Sequence, residues 1–465
     1  MAKSFLPYSV DQQILLPQDM REWLPENHLA HFILDLADTL DLDAILSVYR
    51  AKSDRGRAAY HPKMMVSLLI YAYCMGKPSS RKIERATYED VAYRVIAGGQ
   101  HPDHDTISDF RKQHLQALSG LFVQVLLLCQ QTGLVKLGHV ALDGTKVKAN
   151  ASKHKAMSYK RMCETEEKLE QEVEALLQEA QQVDADEDAK YGKGRRGDEI
   201  PGDLARRENR LKRIKEAKAA LEAVAKEKAQ AKAQEVEAKL AERERKEQET
   251  GKKTGGRPPK APDPDEAVPE PKSQRNFTDP ESRLMKDGAS KSFEQAYNAQ
   301  VAVDAEAQVV VANSLTQETN DKKQLAPLLL KVQEQTGQMP EKASADSGYF
   351  SEAAVSDVRV QETDLYVPPE RRKRDEPADR PRDSAPVGAT QAEKMRAKLT
   401  NPQGRELYSQ RKHVVEPVFG QIKEARGFRR FSFRGFEKVT AEWNLICMTH
   451  NILKLFRSGL SLQIA

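Results

Sequence analysis

Apolar positions in the first 135 residues recur at helical spacing. Leu29, Phe32, Ile33, Leu36 and Leu40 make one stripe, and Val66, Leu69, Ile70 and Tyr73 make another. Pro62 stands where a first-turn proline opens the second helix. Shorter helical sets follow over 79–98 and 106–118, with Asp105 as the expected N-cap of the latter. The pattern predicts an all-α region over 1–135. Arg81, Lys82, Arg85, Arg111, Lys112 and His114 fall on its polar sides. Such a basic surface fits either a helix-turn-helix-like DNA reader or an ordinary solvated face.

The period changes at 138–147. His139-Val-Ala-Leu-Asp-Gly reads as a short buried strand ending in Asp143, with Lys146-Val-Lys-Ala as the start of its return. Strand-like runs resume after residue 290, in Tyr297-Asn-Ala-Gln-Val-Ala-Val-Asp and over 309–312. A helix over 322–336, a strand over 342–345, a helix over 352–360, a strand over 365–367 and a late helix complete the set. Strand, strand, strand, helix, strand, helix, strand, helix is the order of an RNase H-like α/β core. Its first strand lies in 136–155 and the remainder in 292–465.

Between the two parts, Met162, Leu169, Val173, Leu176, Ala180 and Val183 keep a heptad spacing, which resumes at Leu204, Leu211, Ile214 and Leu221. A Gly/Pro-containing break over 184–202 separates the arms. Residues 156–250 are therefore expected to form an inserted helical hairpin, closed on itself or paired with another copy. Pro-, Gly- and charge-rich sequence marks 251–291 as a disordered linker, and 369–400 as a mobile charged segment.

Composition narrows this picture modestly. Of 465 residues, 39% are hydrophobic and 31% charged, with a formal net charge of only +4, so the distribution of charge matters more than its total. Cys74, Cys129, Cys163 and Cys447 form no CxxC pair, which argues against a zinc site or disulfide frame. The most apolar run, 64–75, is too short to span a bilayer, and no signal peptide is visible. A cytoplasmic protein, nucleoid-associated when bound and without membrane contact, is expected.

Three carboxylates carry the candidate chemistry. Asp143 follows the first strand, Asp346 the fourth, and Glu416 lies in or at the start of the late helix. Phosphodiester cleavage by two divalent metals needs acidic ligands from separate segments converging on one point, and hard oxygen donors suit Mg2+, or Mn2+ in its place. Lys423 shares a helical stripe with Glu416 and is expected to face a DNA phosphate, while Tyr408 and Arg411 precede Glu416 by one to two turns and are expected to reach the same DNA strand. Pro417 suggests that the regular helix starts there. Further on, Arg426, Arg429, Arg430 and Arg434 interleave with Phe428, Phe431, Phe433 and Phe436, a pattern suited to DNA backbone and unstacked bases. His101-Pro-Asp-His-Asp reads as capping and turn chemistry, and His450 as a packed histidine.

The chain resembles DDE transposases of bacterial insertion sequences, in the branch with a helical N-terminal domain and a coiled insertion. The resemblance rests on Tyr60-His-Pro-Lys-Met, Ser79-Ser-Arg-Lys-Ile-Glu-Arg-Ala-Thr, Thr278-Asp-Pro-Glu-Ser-Arg-Leu-Met, Tyr297-Asn-Ala-Gln and Val415-Glu-Pro-Val-Phe-Gly. It implies Asp143, Asp346 and Glu416 as the metal-binding triad, with Tyr408, Arg411 and Lys423 in the family's Tyr–Arg–Glu–Lys signature. Four residues, not the commoner three, separate Arg411 from Glu416, so Lys412 competes for the role of Arg411. Implied partners are double-stranded DNA, both terminal inverted repeats and target, and a second copy of the chain in the DNA complex. The implied reaction is cleavage at element ends and 3′-hydroxyl strand transfer. The alternatives are an RNase H-like nuclease without strand transfer, or a non-catalytic DNA-binding scaffold.

Overall fold

The computed structural model describes residues 19–50, 58–191, 202–250, 256, 259–288, 291–371 and 388–460. The chain divides into two compact units. One comprises 1–147, 298–433 and 437–465; the other comprises 148–297 with 434–436.

Among the described residues, seven α-helices open the first unit: α1 (Leu29–Thr39), α2 (Asp43–Arg50), α3 (Pro62–Cys74), α4 (Ser80–Glu89), α5 (Val91–Ile96), α6 (His104–Gln113) and α7 (Leu115–Gln131). The helical set expected over 79–98 is thus two helices, because Asp90 turns the chain and caps α5 through Ala92 N–H at 3.0 Å. Pro62 occupies the first turn of α3, as expected, and α3 is buried almost all round. The N-cap of α6 is Asp103, not Asp105: its carboxylate accepts the Thr106 N–H at 2.8 Å, and Asp105 lies within the first turn.

The sheet follows. β1 (His139–Lys148) runs straight through Asp143 and Gly144, so the expected turn there is strand and 146–148 is no return. Between β1 and the next long strand lie β2 (Ala156–Ser158), α8 (Tyr159–Tyr191), α9 (Gly202–Thr250), β3 (Gln274–Asn276) and β4 (Arg283–Lys286). Then come β5 (Phe293–Asp304), β6 (Val310–Thr316), α10 (Leu325–Thr336), β7 (Lys342–Ser344), α11 (Glu352–Val355) and β8 (Asp364–Tyr366). The chain closes with α12 (Gln391–Thr400), α13 (Pro402–Gly420) and α14 (Phe436–Ser458).

Strand order is β5-β1-β7-β8, with β6 on the outer side of β5 along its C-terminal half and β4 along its first residues. β6 is antiparallel to β5, whereas β7 is parallel to both β1 and β8. Backbone bonds from Ala305 N to His139 O and from Ala149 N to Gln295 O show β1 and β5 to be antiparallel. Helix α14 supplies much of the first unit's core, burying Trp443, Leu445, Ile446, Met448, Ile452 and Leu455. Its Asn451 amide bonds both the N–H and the C=O of Val310 at 2.9 Å, and so satisfies backbone of β6 that the sheet leaves open.

In the second unit α8 and α9 form the antiparallel hairpin the heptads call for. Lys218–Glu166 at 2.7 Å, Lys215–Glu170 at 2.6 Å and Arg207–Glu172 at 3.2 Å set its register. Met162, Leu169, Ile214 and Ala217 form the seam, with Leu211, Leu221 and Phe277 against it. Ala180, Val183 and Leu204 lie outside the residues whose side chains are described. Two strands, β3 and β4, stand where 251–291 was expected to be linker; β3 pairs with β2, and Asn276 anchors the turn by accepting the N–H groups of Thr278 and Asp279. Of the charged segment, 372–387 lies outside the described residues, while 391–400 is α12, capped reciprocally by Thr390 and Glu393.

Candidate active site

Asp143 and Asp346 come together through strand register. His139 is level with Lys342 and Ala141 with Ser344 on the parallel neighbours β1 and β7. Two residues further along each segment stand Asp143 and Asp346, close enough for the charge of Asp346 to act on Asp143. Asp346 then caps the short turn Ser347–Tyr349, accepting the Gly348 N–H at 2.9 Å. Asp143 accepts the Gly144 N–H at 2.9 Å and the Arg411 Nη1 at 3.3 Å. Burial pushes the Asp143 carboxyl up to about 6; Arg411 opposes this, and the charges of Asp346 and Asp321 add to it.

Asp321, between β6 and α10, is a third carboxylate at this place. Its Oδ1 accepts Nδ2 of Asn298 and Nε2 of Gln300, each at 2.6 Å. These two amides sit two residues apart on β5, both fully buried. The Gln300 carbonyl in turn accepts the hydroxyl of buried Tyr349. A Cβ at position 144 would collide with the Gln300 amide, so only glycine leaves room for this network beside Asp143. Lys146 Nζ lies 3.8 Å from Asp321. Sequence reasoning missed Asp321. The available signal was Asn298-Ala-Gln300, two amides on one face of an otherwise apolar strand, which must find polar partners once buried.

Helix α13 brings Tyr408 and Arg411 to the pair. Arg411 is buried, and its guanidinium lies 5.9 Å from the Tyr408 ring centre. The helix begins at Pro402, capped by Asn401, and carries Pro417 inside it, so Pro417 does not start it. Glu416 is exposed, five residues beyond Arg411 and so about 140° around the helix from it. The structure therefore brings Asp143, Asp346, Arg411 and Tyr408 together and holds Glu416 on the solvent side of the same helix. Among the described residues no three His, Cys, Asp or Glu side chains are closed into a metal-ligating group. Lys423, in a π-helical turn (Gln421–Ala425), donates to Thr145 Oγ1 at 2.6 Å and to Lys146 O at 2.8 Å, which ties this turn to β1 beside Asp143.

The other basic candidates divide by burial. Arg81 and Lys82 are exposed on α4, and Lys112 is exposed with Asp109 at 3.2 Å. Arg111, expected on a polar face, is buried: it donates to Pro78 O at 2.5 Å and Tyr73 Oη at 3.2 Å, and lies 4.8 Å from the centre of the Phe433 ring. Arg429 and Arg430 are exposed, with Arg429 paired to Glu424. Phe428, Phe431 and Phe433 are core, as is Arg426, which bonds Thr449 and Ile446 O. The interleaved pattern is thus a buried aromatic face with exposed arginines between. His104 bonds Glu84 at 2.8 Å, and His101 stacks on Tyr88. Buried His450 is hydrogen-bonded at both ring nitrogens.

Two family models match the chain. One, described as Transposase domain (DUF772), covers residues 18–113; the other, Transposase DDE domain, covers 379–456. The first spans the helical N-terminal region, and the second holds Tyr408, Arg411, Glu416 and Lys423. No curated protein and no solved structure matches. A helical N-terminal transposase domain and a DDE domain in one chain define the class. Together the two matches support a DDE transposase of insertion-sequence type. Among its described residues no helix is long and apolar enough to cross a membrane.

Proposed function

We propose that the chain is a metal-dependent transposase with an RNase H-like core, cleaving DNA at its element's ends and transferring the freed 3′-hydroxyl to target DNA. The observation that carries this reading is that β1 and β7 run parallel and in register up to Ala141 and Ser344, two residues before Asp143 and Asp346, and that the charge of Asp346 acts on the buried Asp143 carboxyl. The order β6-β5-β1-β7-β8, with its mixed directions, supports the core assignment. The donor set fits a divalent cation: two hard carboxylates crowd together, and the Asp143 carboxyl is pushed up to about 6 by burial and like charge. Magnesium keeps several waters and takes only one or two carboxylates, so Asp143 and Asp346 are enough to seat one ion. Glu416, from α13, is the third acidic residue, assigned to a second ion.

Such ions, Mg2+ or Mn2+, supply charge that activates the attacking oxygen and stabilises the leaving one. The chain's own residues do the rest. Arg411 holds Asp143, Tyr408 packs on Arg411, and Lys423 fixes the π-turn against β1. Arg81, Lys82, Lys112, Arg429 and Arg430 are the exposed cations assigned to phosphates of end and target DNA, with a second copy of the chain in the complex. Arg111 leaves that set because it is engaged inside the fold.

The test is incubation of end-containing DNA with magnesium and the variants Asp143→Ala, Asp346→Ala and Glu416→Ala. Each should abolish nicking and joining while retaining DNA binding, and each single variant should be nearly as inactive as the triple one, because the three act as a unit. An Asp346→Ala protein that still nicks and joins would overturn the proposal. Nicks without joined products in the parent protein would favour a nuclease.

A further inference from the structure

Asp321 has no assigned role, yet the fold invests several buried groups in holding it. Asn298 and Gln300 each donate to Oδ1 at 2.6 Å, and Gln300 is oriented by the Tyr349 hydroxyl on its carbonyl and by a 3.0 Å bond from its Nε2 to Asn298 Oδ1. Buried amides locked in this way leave the carboxylate one position. Its second oxygen, Oδ2, faces the Gly348 turn that Asp346 caps, lying 3.6 Å from where a Cβ on Gly348 would sit. Asp321 is also a near neighbour of Gly144, the residue after Asp143. Among the described residues its ion-pair neighbour is Lys146, at 3.8 Å, too long for a close hydrogen bond.

We propose that Asp321 is a positioning residue of the site, held by Asn298 and Gln300 so that its charge strengthens cation binding at Asp143 and Asp346 without ligating the cation itself. The inference rests on the metal-dependent reading above. The physical argument is one of placement. A rigid anion beside two ligands deepens the negative potential a divalent ion meets. Because buried amides hold it and side-chain freedom is already lost, no ordering cost falls on the ion. Lys146 acts in the opposite sense, offsetting part of that potential while the cation is absent.

The experiment is Mn2+ binding to the full-length protein without DNA, followed by electron paramagnetic resonance, with metal-free melting measured in parallel. Asp321→Asn keeps the acceptor oxygen that the amides need and deletes the charge. It should weaken Mn2+ binding about tenfold while the metal-free melting temperature stays equal or rises. A purely structural role would lower the metal-free melting temperature instead and leave Mn2+ affinity unchanged, and either result overturns the proposal. Lys146→Met is the independent arm should Asp321→Asn fail to fold: it should tighten Mn2+ binding several-fold, and weaker binding would overturn the inference. Asp143→Asn separates the two readings. If it binds Mn2+ as the parent does, the metal-site assignment has failed; if it loses binding while Asp321→Asn does not, only the role of Asp321 has.

Discussion

Asp143 shows how one residue can be poised and costly at once. Its side chain is 22% exposed and faces one cation, Arg411, against two anions. Because burial pushes the folded carboxyl up to about 6, above its ordinary value of 3.8, the stability it contributes is complete below pH 4. That stability is lost as the pH rises through 6. Asp143→Asn removes the loss. Without divalent metal the variant should melt higher than the parent at pH 8, by a stability difference of about 3 kcal/mol at most. At pH 4 the two should melt alike. Adding Mn2+ should raise the parent and not the variant. A parent whose melting is flat between pH 4 and 7 beside an unchanged Asp143→Asn would contradict this account. The residue was legible in the sequence as a strand-borne acid. Its setting was not, because Asp143-Gly144 has the look of a turn. Gly144 is present for space, beside the Gln300 amide, and not for turning.

At the scale of elements, long periodic segments were legible and short ones were not. The stripes at Leu29–Thr39 and Pro62–Cys74, and the heptads of the insertion, gave α1, α3, α8 and α9, since α1, α8 and α9 bury a face at one fixed period and α3 is long and apolar enough to be buried almost all round. β3 and β4 span three and four residues within a polar stretch and owe their existence to pairing with β2 and β5, which no local pattern reports. The helix expected over 352–360 is one turn of α11 and a 3-10 turn, with Asp357 between them accepting the Arg359 N–H. Contacts between distant elements are equally invisible from spacing. Asn451 lies within an apolar helix, and its value appears only when α14 meets β6. Asn451→Leu keeps the volume but leaves the Val310 N–H and C=O without partners inside the core. At about 1–3 kcal/mol for each of the two stranded groups, the loss should be about 2–6 kcal/mol by denaturant titration. A change within experimental error would mean that β6 finds other partners.

For the whole molecule, a formal net charge of +4 is too small for total charge to supply the DNA binding proposed above, so that proposal rests on particular cations. The fold divides them. Arg111, Arg411 and Arg426 are buried and bonded inside the first unit. Arg81, Lys82 and Arg430 are exposed on the same unit. Nothing in the spacing of basic residues separates the two groups, because a buried and an exposed arginine have the same sequence signature until packing partners are known. Their substitutions should therefore fail differently. The double variant Arg81→Ala/Lys82→Ala should melt like the parent and bind end DNA more weakly. The slope of log affinity against log salt should fall by about 2, roughly 0.9 for each phosphate that the variant no longer neutralises. Arg111→Ala should leave Tyr73 and Glu442 without their cation in the core and lower the melting temperature. At temperatures where it remains folded, its salt slope should match the parent's. If the slope instead falls with Arg111→Ala and not with the α4 pair, the DNA-facing surface lies elsewhere than on α4.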